Sequence, residues 1–134
     1  LLASSAASDV YKRQEEMCTG TRYFENLVDE TKTTLDDQFM ALSERYMKTN
    51  CACFTPNHGR IDDLLRMVKE YKVDGVIDCS LKFCCLYDTE KYSVARALKE
   101  AGVPVLGLET DYTDTDAEQL RTRIGAFIEM LKNR

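Results

Sequence analysis

Hydrophobic positions along the chain fall into helical and strand-like runs that alternate. Residues 22–48 take helical spacing in their second half, with Phe39, Leu42 and Tyr46 on one side. Residues 50–54 are short and apolar and are expected to form a strand, followed by the turn cluster Thr55-Pro56-Asn57-His58-Gly59. An amphipathic helix is predicted over 60–72, since Ile61, Leu64, Leu65 and Val68 recur on one face. The β-branched run at 72–79 predicts a strand, and 80–88 a loop carrying the adjacent Cys84 and Cys85. A second helix is expected over 89–101, with Val94, Ala97, Leu98 and Ala101 inward and Gly102 at its C-terminal cap. Residues 103–108 are continuously apolar, as a strand buried on both faces is. Thr115 and Glu118 have capping-box spacing ahead of a last helix that buries Leu120, Ile124, Phe127, Ile128 and Leu131.

The predicted order is therefore α-β-α-β-α-β-α, with crossovers that suit parallel pairing: an α/β fold with a parallel sheet flanked by helices. In open parallel sheets ligands gather beyond the carboxyl ends of the strands. The loops after Phe54, Cys79 and Leu108 are expected to converge there, and the unusual chemistry of the chain lies in them.

Composition narrows the partners. The 134 residues carry a formal charge of −5 and an isoelectric point near 4.9, which speaks against nucleic acid and anionic membranes. No apolar run reaches the ~18–20 residues of a membrane span. Residues 1–14, LLASSAASDVYKRQ, are Ala- and Ser-rich and lack the charged start of a secretory signal. They read as a non-native or disordered tail, similar to translated adapter sequence, ahead of a helical connecting segment at 15–49 and an α/β domain at 50–134. With no secretion signal, a cytoplasmic location is expected, where six cysteines suit metal binding or plain burial better than disulfides.

Cys51-x-Cys53, on an expected extended segment, would point two thiols to one face. Of Cys84 and Cys85 only one can reach a given metal centre, because neighbouring side chains diverge. Soft thiolates select zinc, copper(I) or iron–sulfur clusters. Neither the zinc spacing nor the Cys-x-x-Cys redox spacing occurs, and His58 is the single histidine, expected in a turn. A buried free thiol is the plain alternative for Cys84, and more so for Cys18 and for Cys79, expected as core at the end of its strand. Glu109 could act as a base, bind a ribose, or accept bonds from the next helix N-terminus. Arg121 or Arg123 could pair with Glu109 or a ligand phosphate, or stand in solvent. The absence of a Gly-rich phosphate loop argues against nucleotide binding.

A longer string of motifs carries a resemblance. It runs through Cys53-x-Thr55-Pro56-Asn57-x-x-Arg60, Leu81-Lys82-Phe83-Cys84, Tyr87 and Glu90, then 102–106, Leu108-Glu109-Thr110-Asp111-Tyr112, and 119–127. The chain resembles the C-terminal part of the 2-hydroxyacyl-CoA dehydratase D-component family, which includes 2-hydroxyglutaryl-CoA dehydratase subunits, benzoyl-CoA reductase subunits and double-cubane-cluster proteins. The resemblance implies Rossmann-like or flavodoxin-like domains, of which this chain would hold only the C-terminal one. It also implies an iron–sulfur enzyme subunit in which Cys84 is a cluster ligand. Cys51 and Cys53 match less closely, and a Cys-x-Cys here looks more like the double-cubane branch. Cys85-Leu86 stands where the family often has Asp-Pro or His-Pro. The expected cofactor is a [4Fe-4S] cluster, or a double-cubane [8Fe-9S] cluster.

The expected partners are a second or identical dehydratase subunit, an ATP-dependent iron–sulfur activator protein and an acyl-CoA substrate. In the chemistry the resemblance implies, the activator supplies one low-potential electron. A 2-hydroxyacyl-CoA thioester is reduced to a ketyl radical, loses water and returns the electron. A cofactor is needed because the β-hydrogen is too weakly acidic for a side-chain base. The Leu start at position 1 and the family cysteines expected upstream lead to the expectation of a C-terminal fragment. A reductase of the double-cubane type is the alternative, and a non-catalytic binding module with buried cysteines a second one.

Overall fold

Helix boundaries follow local capping chemistry. In the computed structural model, which describes residues 16, 22, 24–54 and 56–134, the first helix, α1, spans Leu35–Met47. Thr34 caps it by accepting from the Asp37 backbone N–H at 3.2 Å, and its hydroxyl donates to the Asp37 carboxylate at 2.7 Å. This reciprocal pair satisfies an otherwise orphaned donor. The helix lies where periodicity placed it, yet its apolar side faces solvent: Phe39, Leu42 and Tyr46 are exposed and only Ala41 is buried.

Helix α2 (His58–Glu70) starts after Asn57, so His58 is a helical residue and not part of the turn. Strand β1 (Val76–Leu81) begins later than the β-branched run suggests. The Val73 N–H still closes back onto the Val68 carbonyl at 3.2 Å, and Lys72 takes a positive φ of 49°, so 72–75 finish the helix exit. Gly75 makes the close approach that follows. A Cβ there would come within 2.9 Å of the Phe127 ring. Helix α3 (Cys85–Glu100) starts four residues earlier than expected and ends at Gly102, whose φ of 77° is the left-handed cap expected of glycine.

Strand β2 (Val105–Thr110) pairs in parallel with β1 in the register Val76↔Val105 through Leu81↔Thr110. A 3-10 turn at Asp114–Asp116 leads into α4 (Ala117–Lys132). The capping box does not form: Asp116 occupies the cap without a side-chain bond, and the Thr115 hydroxyl pairs with that of Thr113 at 2.7 Å. The 3-10 turn takes up the residues the box would have used.

Among the described residues the sheet has two strands, and the expected strand at 50–54 is a turn. The Phe54 N–H donates to the Cys51 carbonyl at 3.0 Å, and that carbonyl also accepts from the Asn57 amide at 2.9 Å. The groups a sheet ladder would need are spent locally.

The sheet is covered unequally. Lys91 of α3 donates to Ser80 at 3.2 Å, and its Cε would lie 3.3 Å from a Cβ at Gly107. Helix α3 thus covers the face shared by Asp78, Ser80 and Gly107, with α2 packed against α3. On the other face α4 packs on β2, where Leu108 and Thr110 are buried. On that same face of β1, Ile77, Cys79 and Leu81 are exposed. Cys79 is therefore not core, because α4 lies over β2 and leaves β1 open. The core centres on Leu98 and Leu108, the two largest fully buried side chains.

Candidate functional site

The turn that replaces the expected strand still brings its two cysteines together, by a different route. Cys51 is half-buried and Cys53 exposed. The Cys51 sulfur accepts hydrogen bonds from the backbone N–H and the thiol of Cys53. The backbone donor does most to hold the Cys51 thiol below its ordinary range; burial opposes it, and the charges of Arg22 and Arg60 add to the lowering. Thiolate character of this kind is what soft-metal ligation requires.

Arg60 stands behind this turn in the first turn of α2. Although charged, it is 6 % exposed. Its guanidinium pairs with Glu90 of α3 and, at 3.2 Å, with Glu16, and lies 4.5 Å from the centre of the Tyr87 ring. Glu16 also pairs with the buried Arg22. Among the described residues the Arg60 Nε has no hydrogen-bond partner. Buried donors left this way are costly unless an acceptor reaches them. Asp78, on the sheet face below, has its carboxyl pushed up by burial and by the charge of Asp88, against the pull of Lys91 and Arg60.

Cys84 is carried by a second turn. Strand pairing runs one residue past β1, the Lys82 N–H donating to the Thr110 carbonyl at 2.7 Å. Phe83 then takes a left-handed φ of 67°, and Cys84 closes the turn by donating from its N–H to the Leu81 carbonyl at 3.0 Å. Cys84 is the N-cap of α3, half-buried and without a side-chain capping bond. Cys85 is exposed, and its thiol lies 3.7 Å from the Phe83 carbonyl. The turn is tied across the sheet by Lys82, whose ammonium bridges Asp111 at 2.9 Å and Asp116. Asp111 in turn accepts from the Thr113 N–H at 2.8 Å and from its hydroxyl.

Other candidates lie elsewhere. Glu109 is exposed, Arg121 pairs with Glu118 at 3.5 Å, and Arg123 donates to the Gly107 carbonyl at 2.7 Å, so neither arginine meets Glu109. His58 is exposed, and Cys18 lies outside the described residues.

The chain matches the family described as 2-hydroxyglutaryl-CoA dehydratase, D-component, over residues 6–131. It belongs to that family. It is 41 % identical over 117 residues to the dehydratase subunit YjiM of Escherichia coli, and 33 % identical over 121 residues to the (R)-phenyllactyl-CoA dehydratase beta subunit of Clostridium sporogenes. Each match covers 87 % of this chain and 30 % of the relative, so the chain spans about a third of the length of these two proteins.

Iron–sulfur clusters occur in this family, and protein-bound four-iron clusters are held mainly by cysteine thiolates. The turn of Cys51 and Cys53 holds two thiols of the kind such a cluster needs, near the buried Arg60 guanidinium. Among the described residues no three Cys, His, Asp or Glu side chains converge into a metal site, so Cys84 does not complete one with that pair. The donor set fits part of a cluster site and not a whole one.

Sequence reasoning passed over Arg60 and the Lys82 bridge as interactions. Both left a signal. Arg60 precedes Leu64 by four residues and so falls on the inward stripe of α2. Lys82 and Asp111 follow directly on the last registered pair, Leu81↔Thr110.

Proposed function

We propose that this chain is the cluster-binding C-terminal part of a 2-hydroxyacyl-CoA dehydratase-type subunit, with residues 50–134 as the cluster-binding domain and Cys51, Cys53 and Cys84 as ligands. The observation that carries this reading is family membership together with the turn that holds Cys51 and Cys53, closed by the Phe54 N–H on the Cys51 carbonyl at 3.0 Å. The name of the Clostridium relative, a phenyllactyl-CoA dehydratase beta subunit, supports a 2-hydroxyacyl-CoA as the substrate class and a second subunit as partner. Bound here, an iron–sulfur cluster supplies the single low-potential electron that removal of an unactivated β-hydrogen requires, delivered by an ATP-dependent activator. The chain's own part is to hold thiolates at two turns, one ahead of α2 and one between β1 and α3. No helix among the described residues is long and apolar enough to cross a membrane, in keeping with a cytoplasmic enzyme.

The Cys-x-Cys contact favours one second reading, a double-cubane reductase of the same superfamily. Anaerobic reconstitution with iron and sulfide tests both. A visible thiolate-to-iron absorption band that Cys84→Ser and Cys51→Ser each diminish supports ligation. Iron per chain in the full-length gene product separates four-iron from eight-iron binding. Water loss from a 2-hydroxyacyl-CoA, with the second subunit and activator present, then separates dehydratase from reductase. A band indifferent to both substitutions, or none at all, leaves only a binding module with ordinary thiols.

A further inference from the structure

We propose that Arg60 is a positioning residue: its buried guanidinium joins the turn that holds Cys51 and Cys53 to helix α3, at whose head Cys84 stands. The proposal deepens the ligand reading above, on which its purpose rests.

A continuous set of contacts leads from one thiol turn to the other. The Asn57 amide, at the cap of α2, holds the Cys51 carbonyl at 2.9 Å. Arg60 lies in the same first turn of α2, and next to it that turn closes on Asn50, whose side chain would lie 2.6 Å from a Cβ on Gly59. Asn50 is itself bonded to Asp63 of α2, so the residue preceding Cys51 is fixed to the same helix. Arg60 then reaches α3 by two contacts of different kinds, an ion pair to Glu90 and a stack on Tyr87. Tyr87 is three residues beyond Cys84, and residues at that spacing share a side of a helix. The guanidinium thus joins α2, whose start holds the Cys51 turn, to α3, and among the described residues no backbone hydrogen bond joins the two thiol-bearing segments.

The arrangement is specific to arginine. A planar fork can pair with two carboxylates in plane and stack on a ring at once, whereas an ammonium offers a point charge. The side chain is also more buried than an ion pair needs to be for stability alone, since buried pairs gain little over apolar packing. The Arg60 Nε is a further donor for which the described residues supply no acceptor. An anionic sulfur ligand set beside Cys51 would supply one.

The test uses the full chain, reduced and freed of metal, with Cys18, Cys79, Cys84 and Cys85 changed to Ser. A bis-alkylating bimane, fluorescent only after joining two nearby thiols, reports the geometry of the remaining pair. Working at about pH 10, above the ordinary thiol range, keeps charge state out of the comparison. The bridging rate is divided by the rate of single alkylation with the monofunctional reagent. Arg60→Met is expected to lower this ratio roughly tenfold, the scale on which lost positioning is felt. Arg60→Lys should recover less than half of the loss, and Glu90→Gln should fall between parent and Arg60→Met. A ratio within twofold of the parent in a folded Arg60→Met chain overturns the proposal. If that variant does not fold, Glu90→Gln decides, by the same twofold criterion. Because no metal is present, failure of the reconstitution experiment would remove the cluster reading and leave this result standing.

Discussion

Ion pairs hold both of the turns that carry candidate ligands, and they are built in opposite ways. Behind Cys51 and Cys53, the side chains of Arg60, Glu16 and Glu90 are 7, 13 and 18 % exposed. Beside Cys84, those of Lys82, Asp111 and Asp116 are 34, 34 and 26 % exposed. Water screens the second set and scarcely reaches the first. A screened pair contributes little, whereas a buried one cannot lose a partner without leaving a charge stranded. The turn of Cys51 and Cys53 is therefore fixed by an interaction that is hard to break. That of Cys84 is fixed more by backbone pairing, with the Lys82 bridge as a secondary tie.

The largest expected effect comes from breaking the buried side. Arg60→Met strands Glu90, leaves Glu16 only its pair with Arg22, and should cost ~3–5 kcal/mol in urea unfolding. A loss below ~1 kcal/mol, the usual size for an exposed pair, would erase the contrast between the two turns.

A smaller effect probes the charge buried on the sheet between them. Burial, aided by Asp88, raises the Asp78 carboxyl, so it gives up its proton less readily folded than unfolded. The stability linked to its neutral form is complete below the ordinary value of 3.8 and is lost as pH rises through the raised value. Asp78→Asn should therefore raise the melting temperature near neutral pH and leave it unchanged in acid. A lower melting temperature at neutral pH would show that the attraction of Lys91 and Arg60 outweighs burial.

The smallest effect belongs to the exposed side. The Thr113 hydroxyl first, then Lys82, pull the Asp111 carboxyl down to about 2. A lowered carboxyl contributes stability above its unfolded value, lost as pH falls through its folded one. The small deficit of Asp111→Asn should thus be present near neutral pH and close as pH falls from 3.8 toward about 2. A deficit that persists in strong acid would point to the Thr113 turn, not to charge, as its source.

How far the chain could be read beforehand depended on the range of the forces involved. Helix α4 was legible because its stripe, Leu120 and Phe127 included, records one face turned to one neighbour. Gly102 was legible because a positive φ has few occupants. The strand expected at 50–54 failed because a short apolar run is equally suited to a turn, and the Asn57 amide settled which one formed. Cys79 failed for another reason: its place near the strand's end suggested core, but whether a helix covers that face is not written in the strand.

The same division runs through the site. Sequence by itself determined the helices, the two later strands, the place of Cys84 in the turn after the first of them, and the motif string that carries the family resemblance, because each is a local pattern or a fixed spacing. Only the tertiary structure decided that Cys51 and Cys53 share a turn, that Arg60 lies buried between α2 and α3, and that Cys84 stands apart from the pair. Burial and the meeting of charges depend on which surfaces pack together. Residues thirty positions apart, such as Arg60 and Glu90, are neighbours only after two helices have come together.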